Sequence, residues 1–459
     1  MPRHARQGVP APRHHTVALI ACVMAILLAT GLAAHWTLAG RTARLTAQCD
    51  EASVGLSTAM TGLWDTLAVS DAIARRTPGA DAVDASAGAH AFETTVSAAR
   101  ADADADIPQC SQARTDEDLT ARTGALHRRT DAVHARTDEL KRLNHDRADE
   151  LNAGPRRTLA AAASQGRWWF DTTNGKVSDE AVRTTLGDAV SDARTLLDGD
   201  GDDDTVIDDA PYRQATAALN TAMDDVAASN VKALGVDCAT TACVALTFDD
   251  GPSAATTPTV IDVLERTQTI ATFFTVGEHV ADPQEGELVR RLAEAGYPIE
   301  NHSWNHADLS KLGPADLTHQ LQDTSDAVER VTGYLPGMIR PPYSNWNDAV
   351  RAEATLMNAA LVNYDTAGVD WARDAEHVHA NVLRWTHPGS IILLHDIQPS
   401  TAQSIERIIT DLKARGFTFV TIPQLLGGRP QPGWVYYSRD HHLTPDQPWT
   451  ASGAFTDQW

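Results

Sequence analysis

Val244-Ala245-Leu246-Thr247-Phe248-Asp249-Asp250-Gly251-Pro252 is the stretch on which the reading of this chain turns. Its first five residues form a short, almost wholly apolar run, which describes a strand buried on both faces, as in a parallel sheet. Two adjacent carboxylates then close the strand and run into a Gly-Pro turn. Neighbouring side chains at a strand end point in different directions. One carboxylate can therefore bind a metal while the other faces the metal's water. Asp-Gly-Pro is also ordinary turn chemistry, so the run acquires meaning only from its partners.

Outward from it, short apolar runs alternate with amphipathic ones. Pro258 to Arg266, Glu285 to Ala295, Pro314 to Thr332 and Ser404 to Arg415 read as helices, with Gly296, Gly333 and Gly416 as stops. Ala271 to Val276, Tyr297 to Asn301, Leu361 to Tyr364, Ser390 to Leu394 and Thr418 to Thr421 read as strands. Such alternation implies a parallel sheet covered by helices. Packed into residues 236–430, it suits a barrel-like α/β domain whose chemistry collects at the carboxyl ends of the strands.

Four more runs fall at such ends. Asn301-His302-Ser303-Trp304-Asn305-His306 places two histidines at i and i+4, which share one face if the segment is helical, a common metal-ligand spacing. With one aspartate they make three protein ligands and leave a position for water, as catalytic zinc sites do. Arg340-Pro341-Pro342-Tyr343 presents a guanidinium beside rigid prolines, suited to a carboxylate partner. Asp370-Trp371 reads by itself as a loop acid beside a packing aromatic. In Ile391-Ile392-Leu393-Leu394-His395-Asp396 the histidine ends an apolar strand, where it is either a satisfied core residue or, near a metal, a proton donor.

In this order and spacing the five runs resemble the polysaccharide deacetylases, carbohydrate esterase family 4, from about Cys243 to Leu426. The resemblance implies a distorted (β/α)7 barrel and a divalent metal, zinc most often and cobalt or nickel sometimes, held by Asp250, His302 and His306. It implies Asp249 as general base, Arg340 as its holder, His395 as general acid and Asp370 as the residue that tunes His395. It further implies an acetyl pocket lined by Trp371 and Leu393, and an oxyanion held by the Tyr343 backbone N–H. The expected reaction is removal of N-acetyl groups from an envelope glycan, with peptidoglycan preferred on grounds of location; the expected sugar is N-acetylglucosamine, although no residue distinguishes it from N-acetylmuramic acid. An O-acetyl esterase acting on a xylan-type glycan and an inactive wall-binding module are the alternatives. Ser344 stands where a glycine often follows the tyrosine, and Ala367 replaces a common acidic residue; both bear on substrate fit.

The rest of the 459 residues reads differently. A net charge of −23 argues against a nucleic-acid partner. Residues 1–16 carry Arg3, Arg6 and Arg13 and no acid, and Val17 to Ala34 is uncharged and apolar, about the 18 residues that cross a bilayer as a helix. The expected localisation is the cell membrane, single-pass with the remainder outside, or secretion if this segment is a cleaved signal. Residues 1–40 are then flank and anchor, 41–235 a helical stalk or bundle, 236–430 the catalytic domain and 431–459 a tail. Leu119, Leu126, Val133 and Leu140 recur every seven residues, with Thr123, Thr130 and Thr137 four positions later, a weak coiled-coil-like seam. Thr77-Pro78-Gly79, Ile107-Pro108 and the acidic run Asp198 to Asp204 mark breaks. In an exported chain Cys238 with Cys243 and Cys49 with Cys110 is the favoured pairing among three, against four free thiols.

Overall fold

The computed structural model describes residues 38–75, 86–199 and 209–447. The apolar run 17–34, the Thr77-Pro78-Gly79 break, most of the acidic run at 198–204 and Trp459 lie outside the described residues. Among the described residues no helix is long and apolar enough to cross a membrane. They form two compact units, one reaching to Glu150 and one beginning at Leu151.

The first unit contains helices α1 (Leu38–Ala74) and α2 (Ser86–Asp104) and the first part of α3 (Asp116–Thr172). The seven-residue stripe Leu119, Leu126, Val133 and Leu140 is buried against Cys49, Leu56, Leu63 and Leu67 of α1. The threonines of the seam resolve their polarity locally: Thr123, Thr130 and Thr137 donate to the carbonyls of Leu119, Leu126 and Val133 at 2.8, 2.9 and 2.8 Å. A polar group that satisfies itself on its own helix costs the seam little, but adds no attraction across it. A disulfide joins Cys49 to Cys110, closing 61 residues of chain.

The second unit starts with the remainder of α3, which continues through Pro155, and with α4 (Glu180–Asp198) and α5 (Ala210–Leu234). Leu159, Trp169, Leu186, Leu219 and Met223 form the core of these three helices. After Cys238, disulfide-bonded to Cys243, the chain enters the sheet. Its elements are β1 (Cys243–Asp249), α6 (Thr257–Thr267), β2 (Thr272–Thr275), α7 (Pro283–Glu294), β3 (Ile299–Asn301), α8 (Pro314–Thr332), β4 (Met338–Ile339), α9 (Asp348–Leu356), β5 (Ala360–Val362), β6 (Thr366–Ala367), α10 (Ala375–Trp385), β7 (Ile391–His395), α11 (Pro399–Ala414), β8 (Thr418–Val420), β9 (Val435–Tyr436) and β10 (His442–Leu443).

The strand order is β10-β9-β5-β4-β3-β2-β1-β7-β6, with β8 also on β1. Every pairing is parallel except β9 with β10. The expected seven-stranded barrel is thus corrected to an open, mixed sheet of ten strands. Two of them come from the tail: Val435–Tyr436 extends the sheet past β5, and Tyr437 Oη accepts from Trp346 Nε1 at 3.1 Å.

Register, more than order, builds the site. Asp249 is paired with His395 and Phe274, Thr275 with Asn301, Asn301 with Ile339, and Ile339 with Leu361. Asp249, Asp250, His302, Arg340 and His395 therefore emerge at one level along the same edge. Beneath them lies a dry core that includes Phe248, Phe273, Ile299, Ile392 and Leu394.

Candidate metal centre and acid–base site

Asp250 follows the last residue of β1 in the left-handed region, φ 71°. That turn swings its carboxylate toward the loop after β3. The loop is not helical, the condition under which the i, i+4 spacing would put both rings on one face: Ser303 and His306 have φ 67° and 60° and no helix includes them. Its shape is set by hydrogen bonds to side chains. Asn301 Oδ1 accepts from Ser303 N at 2.8 Å, and Gln320 Oε1 of α8 accepts from Trp304 N and Asn305 N at 3.0 and 3.2 Å. The result still aims both imidazoles at one point. His302 Nε2 and His306 Nε2 each lie 3.3 Å from Asp250 Oδ1.

These three residues offer one ligand atom apiece within 4.8 Å of one another. Two further observations fit a cation. Asp250 Oδ1 is buried without a hydrogen-bond donor, and an orphaned carboxylate oxygen is costly unless a positive charge meets it. His302 Nδ1 lies 2.7 Å from the carbonyl of Arg340, which orients the ring and leaves Nε2 with its lone pair toward Asp250. Burial, with the neighbouring His302, pulls His306 below the usual histidine value and so favours the neutral, ligating form. Burial works to raise Asp250, but the facing His302, with His395 and His306, holds it well below the ordinary carboxylate range.

Asp249 lies beside this centre, almost fully buried, with Oδ2 3.7 Å from His302 Nε2. Its other oxygen is fixed by Arg340, whose Nη1 donates to Asp249 Oδ1 at 2.7 Å. Arg340 is 1% exposed and its guanidinium is caged. Nη1 also meets Thr247 Oγ1 at 2.7 Å, Nε meets Val362 O at 2.9 Å, Nη2 meets Asn363 O at 3.1 Å, and Phe274 lies beneath at 4.1 Å. Desolvation weakens its hold on the proton and the Asp249 charge offsets this only in part; arginine remains a cation in such a cage.

On the far side, His395 Nδ1 meets Asp370 Oδ1 at 2.8 Å, while Asp370 Oδ2 accepts from His395 N at 2.7 Å and from Thr401 Oγ1. Burial lowers His395, but the Asp370 bond and charge, with Asp250 and Asp249 behind, raise it to about 9. His395 Nε2 points across the site, 3.9 Å from Asp250 Oδ2. Trp371 packs edge-on to His395 at 5.2 Å, and Tyr343 edge-on to His306 at 4.6 Å. Both aromatic residues are exposed, Tyr343 at 65% and Trp371 at 40%.

A pocket of about 330 Å³ is lined by every residue singled out in the sequence for this site except Asp370, which stands behind His395. Ser344 and Tyr364 also line it. The residues missed by sequence reasoning are the supports: Thr247, Gln320, Thr401 and Asp396. Asp396 is buried against Gly251, where a Cβ would fall 2.2 Å from its carboxylate, so only glycine fits that turn. None of the four carries a local signal, because each acts on a residue far along the chain.

The polysaccharide deacetylase family pattern matches residues 237–362. A chitooligosaccharide deacetylase of Bradyrhizobium sp. (strain ANU 289) is 35% identical over 205 residues, covering 41% of this chain and 93% of that protein. This chain belongs to the polysaccharide deacetylase family. Within that family, a peptidoglycan-N-acetylglucosamine deacetylase of Listeria monocytogenes is 40% identical over 197 residues, 43% of this chain and 41% of that protein. A peptidoglycan-N-acetylmuramic acid deacetylase of Bacillus subtilis is 38% identical over 183 residues, 40% of this chain and 38% of that protein. The chain thus spans about two fifths of the length of these two polysaccharide deacetylases.

Proposed function

We propose that the chain is a metal-dependent hydrolase that removes N-acetyl groups from cell-envelope polysaccharide, with peptidoglycan N-acetylglucosamine as preferred substrate. One observation carries the reading: a three-ligand centre with an orphaned carboxylate oxygen lies between an arginine-held carboxylate and a carboxylate-held imidazole in a single pocket. The names of the peptidoglycan deacetylases among its relatives support peptidoglycan as the substrate, and the first of them supports N-acetylglucosamine as the sugar. Two disulfides support an oxidising location outside the cytoplasm, and we assign residues 17–34 as the membrane anchor.

Asp250, His302 and His306 would hold the divalent ion, zinc by preference for such a donor set. When bound, the ion lowers the pKa of water and polarises the acetyl carbonyl. The protein's own groups do the rest. Asp249 accepts the water's proton at Oδ2, since Arg340 occupies Oδ1. The Tyr343 N–H meets the oxyanion that develops on the acetyl group. His395 Nε2 gives its proton to the departing sugar nitrogen, and Asp370 keeps that proton in place until then. Trp371 and Leu393 bound the space for the acetyl methyl. Acetate and a free amino sugar result.

The test is acetate release by the full chain from peptidoglycan, chitin oligomers and acetylated xylan, with and without chelator. Chelator-sensitive release from peptidoglycan supports the reading. Release from xylan alone replaces it with an O-acetyl esterase, and no release from any of the three points to a binding module.

A further inference from the structure

We propose that Gln165, in α3 and ahead of the family-matched residues, is a positioning residue for the Arg340–Asp249 pair. The inference rests on the roles assigned above to those two residues. Gln165 is buried and its amide is fully used. Nε2 donates to Pro336 O at 2.8 Å and Met357 O at 3.1 Å, and Oε1 accepts from Asn358 Nδ2 at 2.8 Å. These partners stand at the feet of two adjacent strands. Pro336 precedes β4, and Met357 and Asn358 precede β5.

The heads of the same two strands build the arginine cage. β4 runs straight into Arg340. β5 ends at Val362, whose carbonyl takes Arg340 Nε, and the next residue, Asn363, takes Nη2. β4 has two residues and β5 three, so the clamp lies about 13 Å from Arg340 at roughly 3.3 Å per extended residue. Strands this short have few ladder bonds with which to hold register. Asn358 is itself fixed in the left-handed region, φ 52°, and its side-chain amide accepts a hydrogen bond from Asn220 Nδ2 of α5 at 3.0 Å and donates one to Asn220 Oδ1 at 2.9 Å. Two helices outside the matched segment therefore set β4 against β5. If β5 slips, the carbonyls leave the guanidinium and Asp249 Oδ1 loses its fixed donor. An ångström of misplacement at a proton-transfer group costs up to about a hundredfold in rate.

Glu300 Oε2 also holds the start of β4, accepting from Gly337 N and Met338 N at 3.0 and 2.8 Å. That tie runs to β3 and does not fix β5. The Arg157–Glu353 ion pair joins the same helix to α9, at 3.1 Å, without touching either strand foot.

The experiment compares Gln165→Met, which keeps length and removes every bond, with Arg157→Ala in the full chain. Gln165→Met is expected to lower kcat about tenfold with KM and bound metal unchanged, whereas Arg157→Ala lowers thermal stability and leaves kcat alone. In an Arg340→Lys background the Gln165→Met loss is expected to shrink to under about twofold, the non-additivity of residues acting through one another. Arg340 Nε–H exchange, read by NMR on arginine-labelled protein, should accelerate in Gln165→Met and not in Arg157→Ala. That readout needs no turnover, so failure of the deacetylase reading and failure of this proposal are separable. Should Gln165→Met not fold, Asn358→Gly removes the amide while keeping the backbone, and a smaller loss in kcat with faster Nε–H exchange is expected. Equal kcat losses in Gln165→Met and Arg157→Ala, full additivity with Arg340→Lys, or unchanged Nε–H exchange would overturn the proposal.

Discussion

Asp249 and Asp250 differ in what meets them. The first is held by a guanidinium at 2.7 Å and the second faces two imidazoles at 3.3 Å. This asymmetry predicts that Asp249→Asn retains metal and loses activity by about 10²–10⁴-fold, while His302→Ala loses both; metal content and acetate release on the same samples decide it. His395 must carry a proton to donate one. With its pKa raised to about 9, it is protonated through neutral pH and activity falls as pH rises past that value. Asp370→Asn removes the raising carboxylate and leaves burial, which lowers the pKa, so the alkaline fall moves to lower pH. A pH–rate profile with an unshifted alkaline limb would refute the assignment. Glu300, away from the pocket, carries a stability prediction. Burial pushes its carboxyl up to about 8, against the donors Met338 N and Gly337 N. Above about pH 4.5 the unfolded chain releases this proton and the native state keeps it, so stability declines between about 4.5 and 8, at most about 1.4 kcal/mol per pH unit. Glu300→Gln abolishes that slope; urea melts in which the variant loses as much stability as the wild type between pH 5 and pH 8 would contradict it.

Among the elements, those with strong local signals were legible. α8 spans Pro314–Thr332, the run marked by its first-turn proline and by Gly333, which adopts φ 84° at the helix end. β1 and β7 are apolar runs and were equally plain. α9 and α10 went unread although Asn347 and Asp374 cap them, accepting from Val350 N and His377 N at 3.0 Å each. β4, β6 and β9 are two residues long, too short for any periodicity, and exist because neighbouring strands present edges to them. The His302–His306 loop is not helical, and its shape is not legible in the sequence because it depends on Gln320 Oε1, a partner beyond any local pattern. The cysteines make an element-scale prediction. The Cys49–Cys110 bond spans 61 residues, and closing a loop of that size is worth about 4 kcal/mol. Cys49→Ser with Cys110→Ser should therefore loosen α1–α3 amides toward exchange by hydrogen-exchange mass spectrometry, while acetate release persists. Unchanged protection there would show that the bundle core alone supplies the stability.

For the molecule as a whole, the sequence showed that chemistry lies in the second half, because five runs at strand ends share one family's order. It did not show that the helices of residues 151–234 belong to the same compact unit as the sheet, since their contacts to it join residues far apart in the chain, such as Arg429 Nε with Asp224 Oδ1 at 3.0 Å. Nor did it show an open sheet, because closure depends on pairing between strands remote in sequence. The decisive measurement is metal stoichiometry paired with acetate release from N-acetylated peptidoglycan, on the intact chain before chelation, after it, and after zinc is restored. The account predicts one divalent ion per chain, loss of release when the ion is removed, recovery on reloading, and no binding by His302→Ala. A chain that binds no ion, or that releases acetate at full rate without one, would contradict it.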